Sequence, residues 1–456
     1  MPVDLKNQNP LAWDSPTLDA DTKAMLDNLQ PNILHAHVRE HMSVLLVQFN
    51  DAAEGRAFLR NLASTRMKSA RTHLQELRDF VVTGMEGTPY VGVGVSQAGY
   101  HALGHSDAEV SLFADETFRA GMKQRITLVS DPPVEEWEQE YRQEIHAVIL
   151  IGDATPGTVD ALREEILGEL PASAQVLAKE IGLGLRNPAG EGIEHFGYVD
   201  GRSQPLFLKD DVDAEPATVW NPFFPLSNAL LPDPLSPNPV QHHGSYLVFR
   251  KLEQNVRAFK QIEQDLANRL SLAGVDRERA GAMLVGRFRD GTPLTSKPKP
   301  SGGPVPNDFV YDGDDGTKCP FSAHIRKTNP RSFGREVLMA RRGQTFGTRT
   351  DQPWDDSPPQ DRPTGGVGLL FMAFNGSLVS QFEFTQHKWA NNPKFQKPGT
   401  GLDPVIGQGP RDIQVSFPKV WGQPELSPPQ DQVAQTVTMK GGEYFFAPSL
   451  AYLRGL

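Results

Sequence analysis

Residues 318–347 read KCPFSAHIRKTNPRSFGREVLMARRGQTFG and set one histidine, His324, 17 residues ahead of an arginine pair, Arg341 and Arg342. Phe321, Ser322, Ala323 and Ile325 flank the histidine, which places it in a buried segment rather than on a solvated tail. A histidine in that setting is either a core residue whose ring nitrogens find carbonyl partners or a metal ligand. Arg326, Lys327 and Arg331 crowd cations around it, which suits an anionic ligand as well as a solvated face.

Working outward, 456 residues exceed one ordinary core and predict two subdomains. A hydrophobic content of 38% and a mean hydropathy of −0.42 indicate a water-soluble globular chain. No run approaches the roughly 20 apolar residues of a spanning helix. The opening MPVDLKNQNPLAWDSP has no basic region followed by an apolar run, so the expected location is cytoplasmic. The single cysteine, Cys319, excludes an internal disulfide and reads as a small buried hydrophobe beside Pro320. A net charge of −11, from 56 acidic and 45 basic residues, argues against nucleic acid and anionic membranes as partners. Local basic clusters then need a local explanation.

Apolar runs give the elements. Met42–Phe49, Tyr90–Val95 and His146–Ile151 read as strands, Asp51–Leu62 as a helix. A second helix carries Val159, Leu162, Ile166 and Leu170 on one face and stops at Pro171. This order predicts an α+β fold, an antiparallel sheet covered by helices, over residues 30–204. Residues 205–243, rich in proline, asparagine and aspartate, form a connecting loop. A second α+β unit spans 244–456. It begins with the strand SYLVFRKL and a helix bearing Val256, Phe259, Ile262, Leu266 and Leu270. Gly366–Phe374 and Leu378–Phe384 read as two further strands joined at Asn375-Gly376. The same order of elements occurs twice, without a residue-level repeat.

Upstream of the histidine segment, GYVDG (Gly197–Gly201) holds Asp200 between glycines, where a carboxylate can approach a ligand closely. Alone, that is an ordinary turn. Together with Ser203-Gln204-Pro205, VGRFRDGTPL, CPFSAHIRKTNPR, GLLFMAF, QFEF followed by WANNP, and GGEYFFAPSL, it resembles the dye-decolorizing peroxidases, in the branch that includes the fungal enzymes. The likeness runs nearly end to end. Arg202, Pro31 and Phe346 depart from the family's usual residues.

The resemblance implies two ferredoxin-like subdomains with one haem b per chain held in the C-terminal half. His324 would be the proximal iron ligand, and its second ring nitrogen should face a carboxylate, for which Glu383 is the candidate. Asp200 would shuttle the peroxide proton, and Arg341, six residues before Gly347, would stabilise the departing hydroxide. Leu369 and Phe371, two apart on a strand, would wall the distal pocket, while Arg326 and His195 would meet haem propionates. The implied reaction is oxidation of ferric haem by hydrogen peroxide to a ferryl porphyrin radical, followed by one-electron oxidation of phenolic or dye-like reductants, favoured at acid pH. Trp389 or Tyr452 could relay electrons from bulky dyes. A haem carrier or sensor, or a haem enzyme with another main reaction such as iron release, would need only His324 and a pocket. Monomer and homodimer are both open.

Overall fold

The central strand, β1 (His41–Phe49), is HMSVLLVQF, and six consecutive residues of it are buried. Such a run needs cover on both faces. Asp51 then turns the chain, its carboxylate accepting the Glu54 N–H at 2.9 Å to cap helix α1 (Ala52–Thr65). A second helix, α2 (Ala70–Thr83), precedes β2 (Tyr90–Ser96) and β3 (Ala147–Asp153). Helix α3 (Pro156–Glu169) and strand β4 (Ala174–Leu183) complete the N-terminal half. The C-terminal half supplies β5 (His243–Gln254), α4 (Val256–Arg269), α5 (Glu278–Val285), α6 (His324–Thr328), β6 (Gln344–Phe346), β7 (Gly368–Asn375) and β8 (Val437–Ala447). These elements come from a computed structural model that describes residues 2–37, 40–303 and 305–456.

Within the first half the strands lie in the order β4-β1-β3-β2, and within the second in the order β6-β7-β5-β8. Read by position in each half, both are fourth-first-third-second, one forwards and one reversed, the antiparallel order of a ferredoxin-like unit. The halves join twice, β2 to β8 through Val95 and Ser96, and β4 to β6 through Gly182 and Phe346. With β5 paired to β7 along its length, the circuit closes into an eight-stranded antiparallel barrel. The expected pair of α+β units is therefore present as two halves of one continuous sheet.

Lys251 of β5 reaches Glu180 of β4 at 2.8 Å. Two strands separate β5 from β4 in the sheet, so this contact crosses the barrel and marks the Lys251 face as inward. By the two-residue period of a strand, Arg250, Leu252 and Gln254 face outward, beneath the C-terminal helices. A second apolar cluster gathers there around Phe259, Met283, Phe288 and Phe309.

Two sequence expectations need correction. Leu378–Phe384 is not a strand. Val379–Glu383 and Thr385–Ala390 form a wide helix, with the Glu383 N–H donating to the Leu378 carbonyl five residues back. The Ser377 hydroxyl starts it by accepting the Ser380 N–H at 3.3 Å. The 205–243 segment contains a short helix, Lys209–Ala214, and a two-residue strand, Leu231–Pro232, on β5. Among the described residues no helix is long and apolar enough to cross a membrane.

Gly368 sits at the β5–β7 seam opposite Glu253, where a Cβ would lie 2.0 Å from the Leu252 carbonyl oxygen. Gly368→Ala should therefore force the seam apart and cost about 2–3 kcal/mol. Urea unfolding followed by circular dichroism should show a lower midpoint with an unchanged slope.

Candidate active site

A cavity of about 410 Å³ lies on the outward side of β5 and β7. Its wall combines apolar side chains with an unusual number of arginines. His324, Asp200, Arg341, Leu369 and Phe371, distant in sequence, all line it.

His324 opens α6, with one fifth of its side chain exposed. Its Nδ1 lies 2.9 Å from Oδ2 of Asp403, whose side chain is fully buried. Asp403 is itself held, its Oδ1 accepting the N–H groups of Val405 at 2.8 Å and Ile406 at 3.0 Å. A carboxylate so fixed accepts a hydrogen bond from Nδ1–H and so keeps the ring proton there, which leaves the lone pair on Nε2, and Nε2 has no hydrogen-bond partner among the described residues. Burial works to lower the His324 pKa, but the charge and hydrogen bond of Asp403 outweigh it and hold it above the ordinary value. From the cavity, Arg341 opposes protonation of His324 and Asp200 favours it.

The carboxylate beside the histidine is thus not Glu383. That residue lies on the wide helix, where Arg125 clamps it at 3.0 and 2.7 Å and Thr117 donates to it at 2.8 Å. Sequence reasoning missed Asp403; its one signal was an aspartate set among apolar residues in Leu402-Asp403-Pro404-Val405-Ile406.

Asp200 is exposed to the cavity at the base of a loop whose turn is at residues 194–197, and its Oδ1 accepts the N–H of Gly201 at 2.6 Å. Gly197 permits the turn, with φ +88° and a position where a Cβ would meet the Pro353 carbonyl oxygen at 2.3 Å. Arg341 pairs with Ala373 at the edge of β7, and its Nη2 donates to the Arg202 carbonyl at 2.9 Å. Arg342 donates to the carbonyls of Asn32 at 2.7 Å and Ile33 at 2.9 Å, which ties the N-terminal arm to the barrel.

Arg326 and His195 do not line the cavity. Arg326 is buried and turned to Asp314, 3.1 Å from Oδ2 and 2.6 Å from the carbonyl. His195 is fully buried with Nε2 on the Phe346 carbonyl at 2.8 Å, and burial pushes its pKa down to about 4. Arg287 and Arg331 stand at the cavity wall instead. Both donate to Asn307 Oδ1, at 2.8 and 2.6 Å, and to Ser203 Oγ, at 3.1 and 2.7 Å. Neither has a carboxylate partner among the described residues, and burial lowers Arg287 to about 10 and Arg331 to about 9.

Residues 28–182 match a family model described as the DyP dimeric alpha+beta barrel domain. The chain is 57% identical to the multifunctional dye peroxidase DyP2 of an Amycolatopsis species, over all of both chains. The chain belongs to the DyP-type peroxidase family. The solved structure of that Amycolatopsis protein superposes with a TM-score of 0.94 at 55% identity, covering both chains completely. A DyP-type peroxidase of Anabaena superposes at 0.91 with 36% identity, over 99% of this chain and 98% of that one. Similarity extends to fungi, with 31% identity to a dye-decolorizing peroxidase of Mycetinis scorodonius over 80% of this chain and 75% of that protein.

DyP-type peroxidases are haem enzymes, and the cavity fits such a group. It offers an imidazole nitrogen backed by a carboxylate, apolar walls for a macrocycle, and two buried guanidinium groups lacking an anion.

The distinction between the arginines is measurable in the apoprotein. Arg326→Leu strands the buried Asp314 carboxylate and should cost about 3–5 kcal/mol in urea unfolding. Arg331→Leu removes a cation without a carboxylate partner and should cost less.

Proposed function

We propose that this peroxidase takes one haem b per chain, which Nε2 of His324 would hold through its iron and Arg287 and Arg331 through its propionates. The observation that carries this reading is the convergence of a carboxylate-backed histidine with Asp200 and Arg341 on one cavity. Bound haem supplies the redox-active iron. Asp403 keeps the His324 proton on Nδ1, so that Nε2 remains available and strongly donating.

Heterolysis of hydrogen peroxide requires one oxygen to lose a proton and the other to gain one. Asp200 in its ionised form accepts the first proton and returns it to the departing oxygen. Arg341 stabilises the negative charge that develops on that oxygen before it leaves as water; the two electrons for the cleavage and the acceptor for the other oxygen are what a bound haem would supply. Leu369 and Phe371 keep bulk water from competing for the proton. Dyes, the class named for several relatives, and phenolic compounds, one of which is bound in a related solved structure, serve as one-electron reductants.

His324→Ala should lose the Soret band of the haem-loaded protein; an unaltered band would sink the ligand assignment. Asp200→Asn should bind haem normally yet slow the peroxide reaction by about 100- to 10,000-fold in stopped-flow absorbance. Arg341→Leu should cut the same rate by about 100- to 1,000-fold with haem content preserved. A normal rate in Asp200→Asn would remove Asp200 from the proton transfer, and a normal rate in Arg341→Leu would remove Arg341 from the charge stabilisation.

A further inference from the structure

Glu194 also lines the cavity, six residues before Asp200 in sequence, and makes no ion pair among the described residues. Its carboxylate takes three hydrogen bonds instead. Phe196 N–H donates to Oε2 at 2.7 Å, Tyr198 N–H to Oε1 at 3.1 Å, and Gln254 Nε2 to Oε2 at 2.6 Å. Two of these donors belong to the main chain of the loop that carries Asp200, and the third stands on the outward face of β5. One side chain therefore fastens the loop to the barrel wall.

Asp200 needs that fastening. The hydrogen bond of its carboxylate is to the N–H of Gly201, inside the same loop, so no barrel residue fixes it directly. Its placement follows the main chain, which the Gly192 carbonyl holds at Asp200 N–H, 3.0 Å, and the Arg289 carbonyl at Val199 N–H, 3.2 Å. Between these anchors and the strand, Glu194 supplies the bonds at positions 196 and 198.

We propose that Glu194 is a positioning residue of the peroxide reaction, whose carboxylate braces the 196–200 loop against Gln254 and so sets where Asp200 stands over the cavity. This rests on the reading of Asp200 as the proton carrier. Only the ionised carboxylate offers both oxygens fully as acceptors to the loop; a proton on either oxygen weakens one brace. Burial pushes Glu194 up to about 7 against the pull of the Phe196, Gln254 and Tyr198 hydrogen bonds, and the charge of Asp200 pushes the same way. Of the other titratable neighbours, His195 is turned to the Phe346 carbonyl, Tyr198 to Glu263 and Arg250 to Asp131. The brace thus loosens as pH falls through neutrality.

The test compares Glu194→Gln, Glu194→Asp and Asp200→Asn as haem-loaded proteins, with amide hydrogen exchange of residues 196–201 measured beside the stopped-flow rate with hydrogen peroxide from pH 5 to 9. Glu194→Gln should keep its haem content, speed exchange at Phe196 and Tyr198, and slow the peroxide reaction by about 10- to 100-fold. It should also lose the wild-type inflection near pH 7. Glu194→Asp, which keeps the charge on a shorter arm, should regain part of the rate. Asp200→Asn should slow the peroxide reaction while leaving exchange at Phe196 and Tyr198 as in wild type. Faster exchange in Glu194→Gln with an unchanged rate and pH profile would reduce Glu194 to a structural staple and overturn the proposal, as would unchanged exchange. A normal rate in Asp200→Asn would instead remove the proton carrier, a failure visible without reference to Glu194.

Discussion

The hydrogen bond between Asp403 and His324 is the constraint from which the site is built. A buried carboxylate is costly unless its lone pairs are used, and here they are taken by the imidazole and by two backbone N–H groups. That arrangement fixes the tautomer of the ring. It also fixes the direction of the second nitrogen, because α6 is short and its first residue is the histidine. The segment from Ala390 to Gly407 must pack so that Asp403 arrives beneath the ring, and the Asp403 N–H bond to the Ala390 carbonyl anchors it to the wide helix. A C-terminal loop, a helix end and the barrel face are thereby held in one relation.

The barrel divides the labour between its two faces. Inside, Lys251 is neutralised by Glu138 and Glu180, and Tyr141 donates to Glu180 at 2.9 Å, so these inward-facing charges answer one another. Outside β5 and β7, the C-terminal helices stand off far enough to leave the cavity. The N-terminal half has the same strand order, but its helix α3 carries Val159 and Ile166 buried against the sheet. The same architecture therefore closes over one sheet face and opens over the other.

Much of this was legible in the sequence, and the failures share a cause. Strands β1, β3 and β5 announce themselves as apolar runs because both faces are covered, and the helices after β1 and β5 begin at the capping residues Asp51 and Asn255. Strand β4, AQVLAKEIGL, escaped because its pattern is inverted. Glu180 points inward to the ion pair, while Ile181 and Leu183 face out, 53% and 36% exposed. Periodicity assumes an apolar interior, and here the interior is charged. The same limit explains Glu383. Phe382-Glu383-Phe384 reads as alternation, yet the hydrogen bonding of Ser377 begins a helix, and the carboxylate that meets His324 comes from 79 residues further on, a pairing that only tertiary packing creates.

Arginine placement carries the most general lesson. Near the cavity, Arg326 and Arg250 are answered by the buried carboxylates of Asp314 and Asp131, and Arg342 by main-chain carbonyls. A cation satisfied in this way belongs to the framework, however close in sequence it lies to the ligand histidine. Arg287 and Arg331 differ because they share neutral acceptors, and the charge of Arg287 helps depress the pKa of Arg331. Two desolvated guanidinium groups held side by side are a standing electrostatic cost, and a dianionic ligand entering the cavity relieves it. Ligand binding and stability are then one quantity: the free energy recovered when the anion arrives stabilises the folded chain by mass action, in proportion to how poorly the empty site had solvated its own charges.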